Sequence, residues 1–267
     1  MRNYLQPQSV NDVLSNSFAI YIKSFAATLL TYLVPVLPFQ IWQGEANAAH
    51  HPRLALAGYL AGFVAGLFAF GAMTLTVSDI CLGNKPSVAR SYKRLFSTIA
   101  GKLAVTNLLT MAGWGVPAIL LGVLSKPFHD ASGALKLAIA AAMVLCVVAI
   151  IVVVARLMFA SSVVVLEGLW AFKALKRSNA LVRGFVWRNL ATLALIFIVV
   201  FGVIVLAATF LTVAHIKTTM LGGRIFTYVV GSLLVPPFFI SVVLLYYDTR
   251  ARKEAYDSAA LAEDLRR

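Results

Sequence analysis

Residues 135–159 read LKLAIAAAMVLCVVAIIVVVARLMF, and no charged side chain lies between Lys136 and Arg156. A helix needs about 20 apolar residues to cross the hydrocarbon core of a bilayer, so this stretch is long enough to span a membrane. Helices and closed barrels are the structures that satisfy their backbone hydrogen bonds in lipid. The stretch therefore predicts a membrane-spanning helix in an all-α protein.

The remainder of the 267-residue chain repeats this pattern. It is 61% hydrophobic and only 12% charged, whereas a soluble domain usually has about 25% charged residues. Five further apolar runs are long enough to span, at residues 26–43, 54–77, 102–124, 190–214 and 225–247. The sequence predicts a polytopic bundle of six transmembrane helices arranged as three hairpins.

The distribution of Lys and Arg predicts the orientation of these helices. Eighteen of the 23 Lys and Arg fall on one side of the predicted bundle, in segments 1–25, 78–102, 156–189 and 248–267. Cytoplasmic loops carry this excess in membrane proteins, so both termini are expected in the cytoplasm. The net charge of +13 is thereby assigned to topology, and no nucleic-acid partner is expected.

Three segments on that side have the 3.6-residue apolar spacing of amphipathic helices. They begin near Ser9, Ser87 and Trp170, and Ser9 with Asp12 forms a candidate capping box. We expect each helix to lie in the cytoplasmic interface and to precede one hairpin. The chain then reads as a single membrane domain, 1–267, with pseudo-repeats at 1–78, 79–160 and 161–247 and a charged cytoplasmic tail at 248–267.

Gly58, Gly62 and Gly66 form a stripe of small residues in the second predicted span. Such a stripe lets another helix approach closely, either within the chain or across a dimer interface. We expect intramolecular helix packing, with a dimer face as the alternative.

Motifs of the common hydrolases, metalloproteases and nucleotide-binding proteins are missing from the sequence, so no enzymatic activity and no cofactor are expected. No carboxylate falls at the centre of a predicted span, which disfavours an ion-coupled pump. An outer metal site is a weak alternative, because all four histidines are predicted on the outer side: His50, His51, His129 and His215.

The last predicted span ends in LLYYDTRARKEAYD, residues 244–257. Tyr246 and Tyr247 are interpreted as an interfacial aromatic belt, and the charges that follow as the signal that stops insertion. Asp248 is expected to pair with Arg252 four residues later along a helix.

Four motifs together resemble the membrane domain of bacterial glycerophosphoryl diester phosphodiesterases. They are the Ser9 helix start, LGNKPSV at 82–88, ALKRSNALVRGFVWRNL at 174–190 and the 244–257 ending. The resemblance implies a stand-alone six-span module without the phosphodiesterase domain, since the chain after the last span is far shorter than a barrel of about 250 residues. It also implies a location in a bacterial inner (plasma) membrane. A small set of recurring motif positions has two explanations, a structural one through helix capping and ion pairs, and a functional one as ligands of a lipid headgroup or a partner protein: Arg177, Ser178, Arg183, Asp248 and Arg250.

The sequence therefore predicts a non-enzymatic integral membrane module. Its basic cytoplasmic face is expected to bind membrane lipids, above all anionic phospholipids, or a partner protein. The alternative is a transporter or lipid translocator of small or phosphate-bearing substrates, which requires a cavity between the hairpins.

Overall fold

The computed structural model describes residues 4–213 and 221–266. Within these ranges the chain forms eleven α-helices and no β-strand, which confirms the all-α fold. The helices are α1 Val10–Lys23, α2 Phe25–Ala48, α3 Pro52–Cys81, α4 Val88–Arg94, α5 Ala100–Asp130, α6 Gly133–Leu157, α7 Ala160–Glu167, α8 Ala171–Val182, α9 Val186–Val213, α10 Leu221–Glu254 and α11 Ser258–Asp264. A π-helical turn, Leu95–Ile99, joins α4 to α5.

Six helical segments are long and apolar enough to cross a membrane, as the sequence predicts. They are Phe25–Asn47, Pro52–Cys81, Val88–Asp130, Gly133–Glu167, Val186–Phe210 and Tyr228–Glu254. The chain therefore has six candidate membrane spans, as expected of a multi-pass membrane protein. We refer to them by the long helices α2, α3, α5, α6, α9 and α10.

The short helices follow local signals in the sequence. Ser9 Oγ accepts a hydrogen bond from the Asp12 amide at 3.1 Å, and Asp12 Oδ2 accepts one from the Ser9 amide at 3.0 Å. The predicted capping box is thus present at the start of α1. Ser87 likewise caps α4. Helices α7 and α11 were not predicted, because each has only seven or eight residues.

The glycine stripe packs partly against the preceding helix. A Cβ atom on Gly58 would lie 3.2 Å from the Cα of Gln43, and one on Gly62 would lie 3.3 Å from the Cβ of Phe39. Both contacts are with α2, so these two glycines serve intramolecular packing. Gly66 differs, because a Cβ there would meet no atom within 4 Å.

Packing is tight at one end of the bundle and loose at the other. We call the tight end the terminal end, because residues 4–9 and 248–266 both lie there. Every residue of 71–78 in α3 and of 240–249 in α10 is buried at this end. Most residues in the parts of α5 and α6 that lie away from the terminal end are exposed on the surface of the bundle. Their apolar side chains are therefore expected to face lipid.

Candidate functional site at the terminal end

The 244–257 stretch lies in the most enclosed part of the protein. Tyr246 and Tyr247 have 0% exposure, so their interpretation as an interfacial aromatic belt is wrong. Helix α10 continues to Glu254 and is covered at this level by α1, α7, α8 and α11. Tyr247 shares a hydrogen bond of 2.6 Å with Ser78 of α3. The end of α10 is thus buried among several helices and contacts them directly.

Asp248 holds the N-terminal segment of the chain. Its Oδ1 accepts the Gln8 amide N–H at 2.6 Å and the Arg252 Nε–H at 3.1 Å, while Oδ2 pairs with Arg188. The Gln8 carbonyl accepts further hydrogen bonds from Arg188 and Arg252. The predicted pair of Asp248 and Arg252 is confirmed. Asp248 itself is 0% exposed, so every one of its polar contacts is internal.

A second cluster surrounds Glu167 at the end of α7. Arg177 contacts Glu167 Oε2 at 2.7 Å and Glu254 Oε1 at 2.6 Å. Arg250 contacts the same Glu254 at 3.0 Å, and Tyr246 donates to Glu167 at 2.9 Å. Burial alone would lower the pKa of Arg177, but its hydrogen bonds to the two glutamates raise that pKa on balance. Arg177 and Arg250 therefore lie close together around two carboxylates, those of Glu167 and Glu254.

Arg250 also attaches α11 to the bundle. Its NH1 donates to Asp264 Oδ2 at 2.7 Å, and its guanidinium lies 3.8 Å from the centroid of the Tyr256 ring. The Tyr256 hydroxyl donates to the same carboxylate at 2.8 Å. Burial and this hydrogen bond raise the pKa of Tyr256. The last residues of the chain are thus folded against the bundle.

The two remaining candidate residues, Ser178 and Arg183, belong to neither of these clusters. Ser178 Oγ accepts from the Phe159 amide at 3.2 Å and donates to the Arg156 carbonyl at 3.0 Å, which secures the junction of α6 and α7. The Arg183 carbonyl accepts a hydrogen bond from Lys253 at 2.6 Å, but the Arg183 side chain is exposed. The five candidate residues consequently form no single pocket.

All eight carboxylates predicted on this side of the bundle have internal contacts. Asp12 belongs to the capping box, Asp79 accepts from Asn84, and Asp257 caps α11. The others are in the clusters above, apart from Glu263, which also has a partner. Several exposed cations, by contrast, form no ion pair with the described residues: Lys93, Lys102, Lys173, Lys176 and Arg183. We call these five residues the basic surface.

Large aromatic side chains are exposed in the same segments as the basic surface. Trp170 and Phe172 flank the lysines of α8 and are 51% and 67% exposed. Trp187 is 84% exposed and Phe96 is 61% exposed. Cations mixed with exposed aromatic rings are the residues that membrane proteins place at the level of lipid headgroups.

Two cavities lie below the terminal end. A groove of about 860 Å³ runs between α2 and α3 and is bordered by Tyr92 and Phe96. A second cavity of about 440 Å³ lies among α3, α5, α6, α9 and α10. Its lining is apolar apart from a few side chains, chiefly Asn107, Thr110 and Ser161.

None of the three described histidines belongs to this network. His50 and His51 are in the connection between α2 and α3, His129 is near the end of α5, and all three are exposed. His215 lies outside the described residues. Within residues 4–213 and 221–266, no three His, Cys, Asp or Glu side chains are placed to hold a metal ion.

Sequence reasoning missed most of the partners in the network, namely Gln8, Arg188, Glu167, Glu254, Tyr256 and Asp264. The mixed charge of residues 248–254, in which two acids flank three bases, is a signal that could have predicted internal ion pairs at the end of α10.

Comparison with known proteins places the chain in a family. No curated protein and no solved structure is significantly similar to it. One family model, described as a domain of unknown function (DUF8558), matches residues 69–266. This region includes four whole spans, the last part of α3, and helices α7, α8, α10 and α11 of the network. The chain belongs to the DUF8558 family.

Proposed function

We propose that this protein is a non-enzymatic integral membrane module that binds anionic phospholipids through the basic surface at its terminal end. The observation that carries the proposal is the imbalance of charge at this end. The carboxylates are held in internal contacts, while the exposed cations of the basic surface form no ion pair with the described residues. In the proposed orientation this end faces the cytoplasm of a bacterial inner membrane.

The electrostatic gain is large enough to matter at a membrane. Each Lys or Arg near an anionic bilayer surface contributes roughly 1 kcal/mol of attraction. Arg177 and Arg250 contribute little of this, because Glu167, Glu254 and Asp264 already neutralise them. The proposal therefore gives these two arginines a structural role and assigns headgroup contacts to Lys173, Lys176 and Arg183.

Helix α8 has the form that this role requires. Ala174, Ser178 and Leu181 are buried against the bundle, whereas Lys173 and Lys176 are exposed. We infer that α8 lies at headgroup level with its basic face toward the lipid, and that α1 and α4 lie in the same interface before the other two hairpins.

The experiment compares lipid selectivity in two matched variants. One variant neutralises the terminal end with Lys173→Gln, Lys176→Gln and Arg183→Gln. The control neutralises three cations near the opposite end with Arg53→Gln, Lys126→Gln and Lys136→Gln. Each protein is placed in nanodiscs with equal amounts of phosphatidylglycerol and phosphatidylcholine, and the lipids retained after mild detergent extraction are counted by native mass spectrometry.

The wild-type protein and the control variant should retain phosphatidylglycerol in preference to phosphatidylcholine. The terminal-end variant should lose most of this preference, because about 1 kcal/mol per cation is removed. An equal loss in both variants, or no loss in either, would contradict the proposal.

The cavity of about 440 Å³ favours one alternative, a lipid translocator. Its lining from several spans gives an apolar molecule a place between the helices, and its few polar groups suit a small ion poorly. A fluorescent phospholipid assay on reconstituted vesicles tests this function. Accelerated exchange between leaflets would support it, and a rate equal to that of empty vesicles would leave the binding module as the function.

A further inference from the structure

The groove between α2 and α3 begins directly below helix α4. It is lined by apolar side chains, including Val34, Leu60, Ala61 and Val64. These residues belong to two helices that are long and apolar enough to span a membrane, so the neighbouring solvent is the acyl chains of lipids. With a volume of about 860 Å³, the groove is in the size range of sites for small ligands.

A proline explains why α4 is fixed over this groove. Pro35 has no amide hydrogen, so the carbonyl of Thr31 four residues earlier lacks its partner within the helix. Tyr92 of α4 donates its hydroxyl to that carbonyl at 2.6 Å. The same attachment is strengthened by Ser91, whose hydroxyl lies 3.0 Å from that of Thr76 in α3. The position of α4 is therefore set by hydrogen bonds to both walls of the groove.

The end of the groove next to α4 is lined by aromatic rings, and a positive charge lies beside them in the sequence. Phe96 packs against Phe68 with ring centroids 5.6 Å apart and stacks on Tyr92 at 6.1 Å. Lys93 does not line the groove itself, but it lies in the sequence between Tyr92 and Phe96, which do. Lys93 is exposed and forms no ion pair with the described residues.

We infer that this groove binds one anionic glycerophospholipid, with an acyl chain against α2 and α3 and the phosphate at Lys93. The match of chemistry favours this occupant. An apolar groove is lined at one end by Tyr92 and Phe96, and the residue after Tyr92 is a cation that forms no ion pair with the described residues. A basic residue at the headgroup end of a crevice between membrane helices is a recurring arrangement for anionic lipids. The inference rests on the proposed function and gives it a defined site.

The test uses a variant that fills the groove and a matched control. Ala61→Trp places a large ring in the groove, while Ala141→Trp places the same ring on an exposed surface of α6 at a similar distance from the outer end. Native mass spectrometry then counts phosphatidylglycerol and phosphatidylcholine with identical chains on each protein. Ala61→Trp should lose one tightly held lipid of either headgroup, and Ala141→Trp should retain it.

Substitution of Lys93 tests the headgroup separately. Lys93→Gln should lower the preference for phosphatidylglycerol about fivefold and leave phosphatidylcholine binding unchanged. Lys93→Arg should keep the preference. Equal lipid occupancy in wild-type and Ala61→Trp protein would overturn the groove site, and unchanged selectivity in Lys93→Gln would overturn the assignment of the phosphate.

A third measurement needs no variant and so does not depend on the folding of Ala61→Trp. Phosphatidylglycerol with a diazirine on its acyl chain is photolysed with the wild-type protein, and the modified peptides are identified. Adducts concentrated in residues 34–39 and 60–68 are expected, whereas adducts spread evenly over exposed faces of α6 and α9 would refute the site. If the adducts are spread evenly while the Lys173→Gln, Lys176→Gln and Arg183→Gln variant still loses its preference for phosphatidylglycerol, the groove site alone is rejected. If the wild-type protein shows no preference for phosphatidylglycerol, the proposed function is rejected.

Discussion

The buried carboxylate of Asp248 offers the sharpest test of the terminal network. Asp248→Ala removes the acceptor of the Gln8 amide and the counter-ion of Arg188 and Arg252 together. Loss of one partner from a buried ion pair typically costs about 3 to 5 kcal/mol. The two arginine side chains are 22% and 29% exposed and can regain some hydration, so we expect a loss near the lower figure, about 3 kcal/mol.

The assay is reversible unfolding in mixed micelles with increasing SDS, followed by tryptophan fluorescence. Asp257→Ala is the control, because Asp257 is an exposed acid that caps only α11, and loss of such a cap costs about 1 kcal/mol. Asp248→Asn should fall between these variants, since its side-chain oxygen can still accept from the Gln8 amide.

Hydrogen exchange gives the local result. Amides of residues 4–12 should lose protection in Asp248→Ala and keep it in Asp257→Ala, because Asp248 accepts the Gln8 amide, whereas Asp257 caps α11. If Asp248→Ala unfolds at the same SDS fraction as Asp257→Ala and protects residues 4–12 as well as wild type does, the reasoning about this network is refuted.

Two further predictions concern helix packing and the attachment of α11. Gly58→Ala should destabilise the protein by about 1 to 3 kcal/mol, because its Cβ would crowd the Gln43 backbone. Gly66→Ala should be neutral or slightly stabilising, because a Cβ there meets open space. Equal effects of the two substitutions on unfolding in SDS would contradict this account. Arg250→Lys retains the charge but loses the fork that reaches Glu254 and Asp264 together, so amides of α11 should exchange faster, while the exposed Arg266→Lys should leave them unchanged. Unaltered exchange in Arg250→Lys would show that α11 is held by other contacts.

The spans could be predicted because the signal for a membrane helix is local. A run of about twenty apolar residues predicts a membrane-spanning helix whatever the rest of the chain contains. The capping box at Ser9 and the ion pair of Asp248 with Arg252 were predicted for the same reason, because their partners are only three and four residues apart. Close packing was predicted for all three members of the glycine stripe; Gly58 and Gly62 lie against α2, whereas a Cβ atom on Gly66 would meet no atom within 4 Å.

The network at the terminal end could not be predicted, since its contacts join distant parts of the chain. Gln8 and Asp248 are 240 positions apart, and Arg177 and Glu254 are 77 apart. A pair of tyrosines followed by charged residues can lie at a membrane interface or in a buried polar core, and the sequence pattern is the same in both. Only the placement of α1, α7, α8 and α11 around α10 distinguishes the two cases for Tyr246 and Tyr247.

The most direct test of the central proposal is the lipid selectivity of the wild-type protein as a function of salt. Native mass spectrometry after equilibration with equal amounts of phosphatidylglycerol and phosphatidylcholine gives this selectivity at each ionic strength. The proposal predicts a clear preference for phosphatidylglycerol at low salt that declines as salt screens the exposed cations. Equal retention of both lipids at every salt concentration would contradict it.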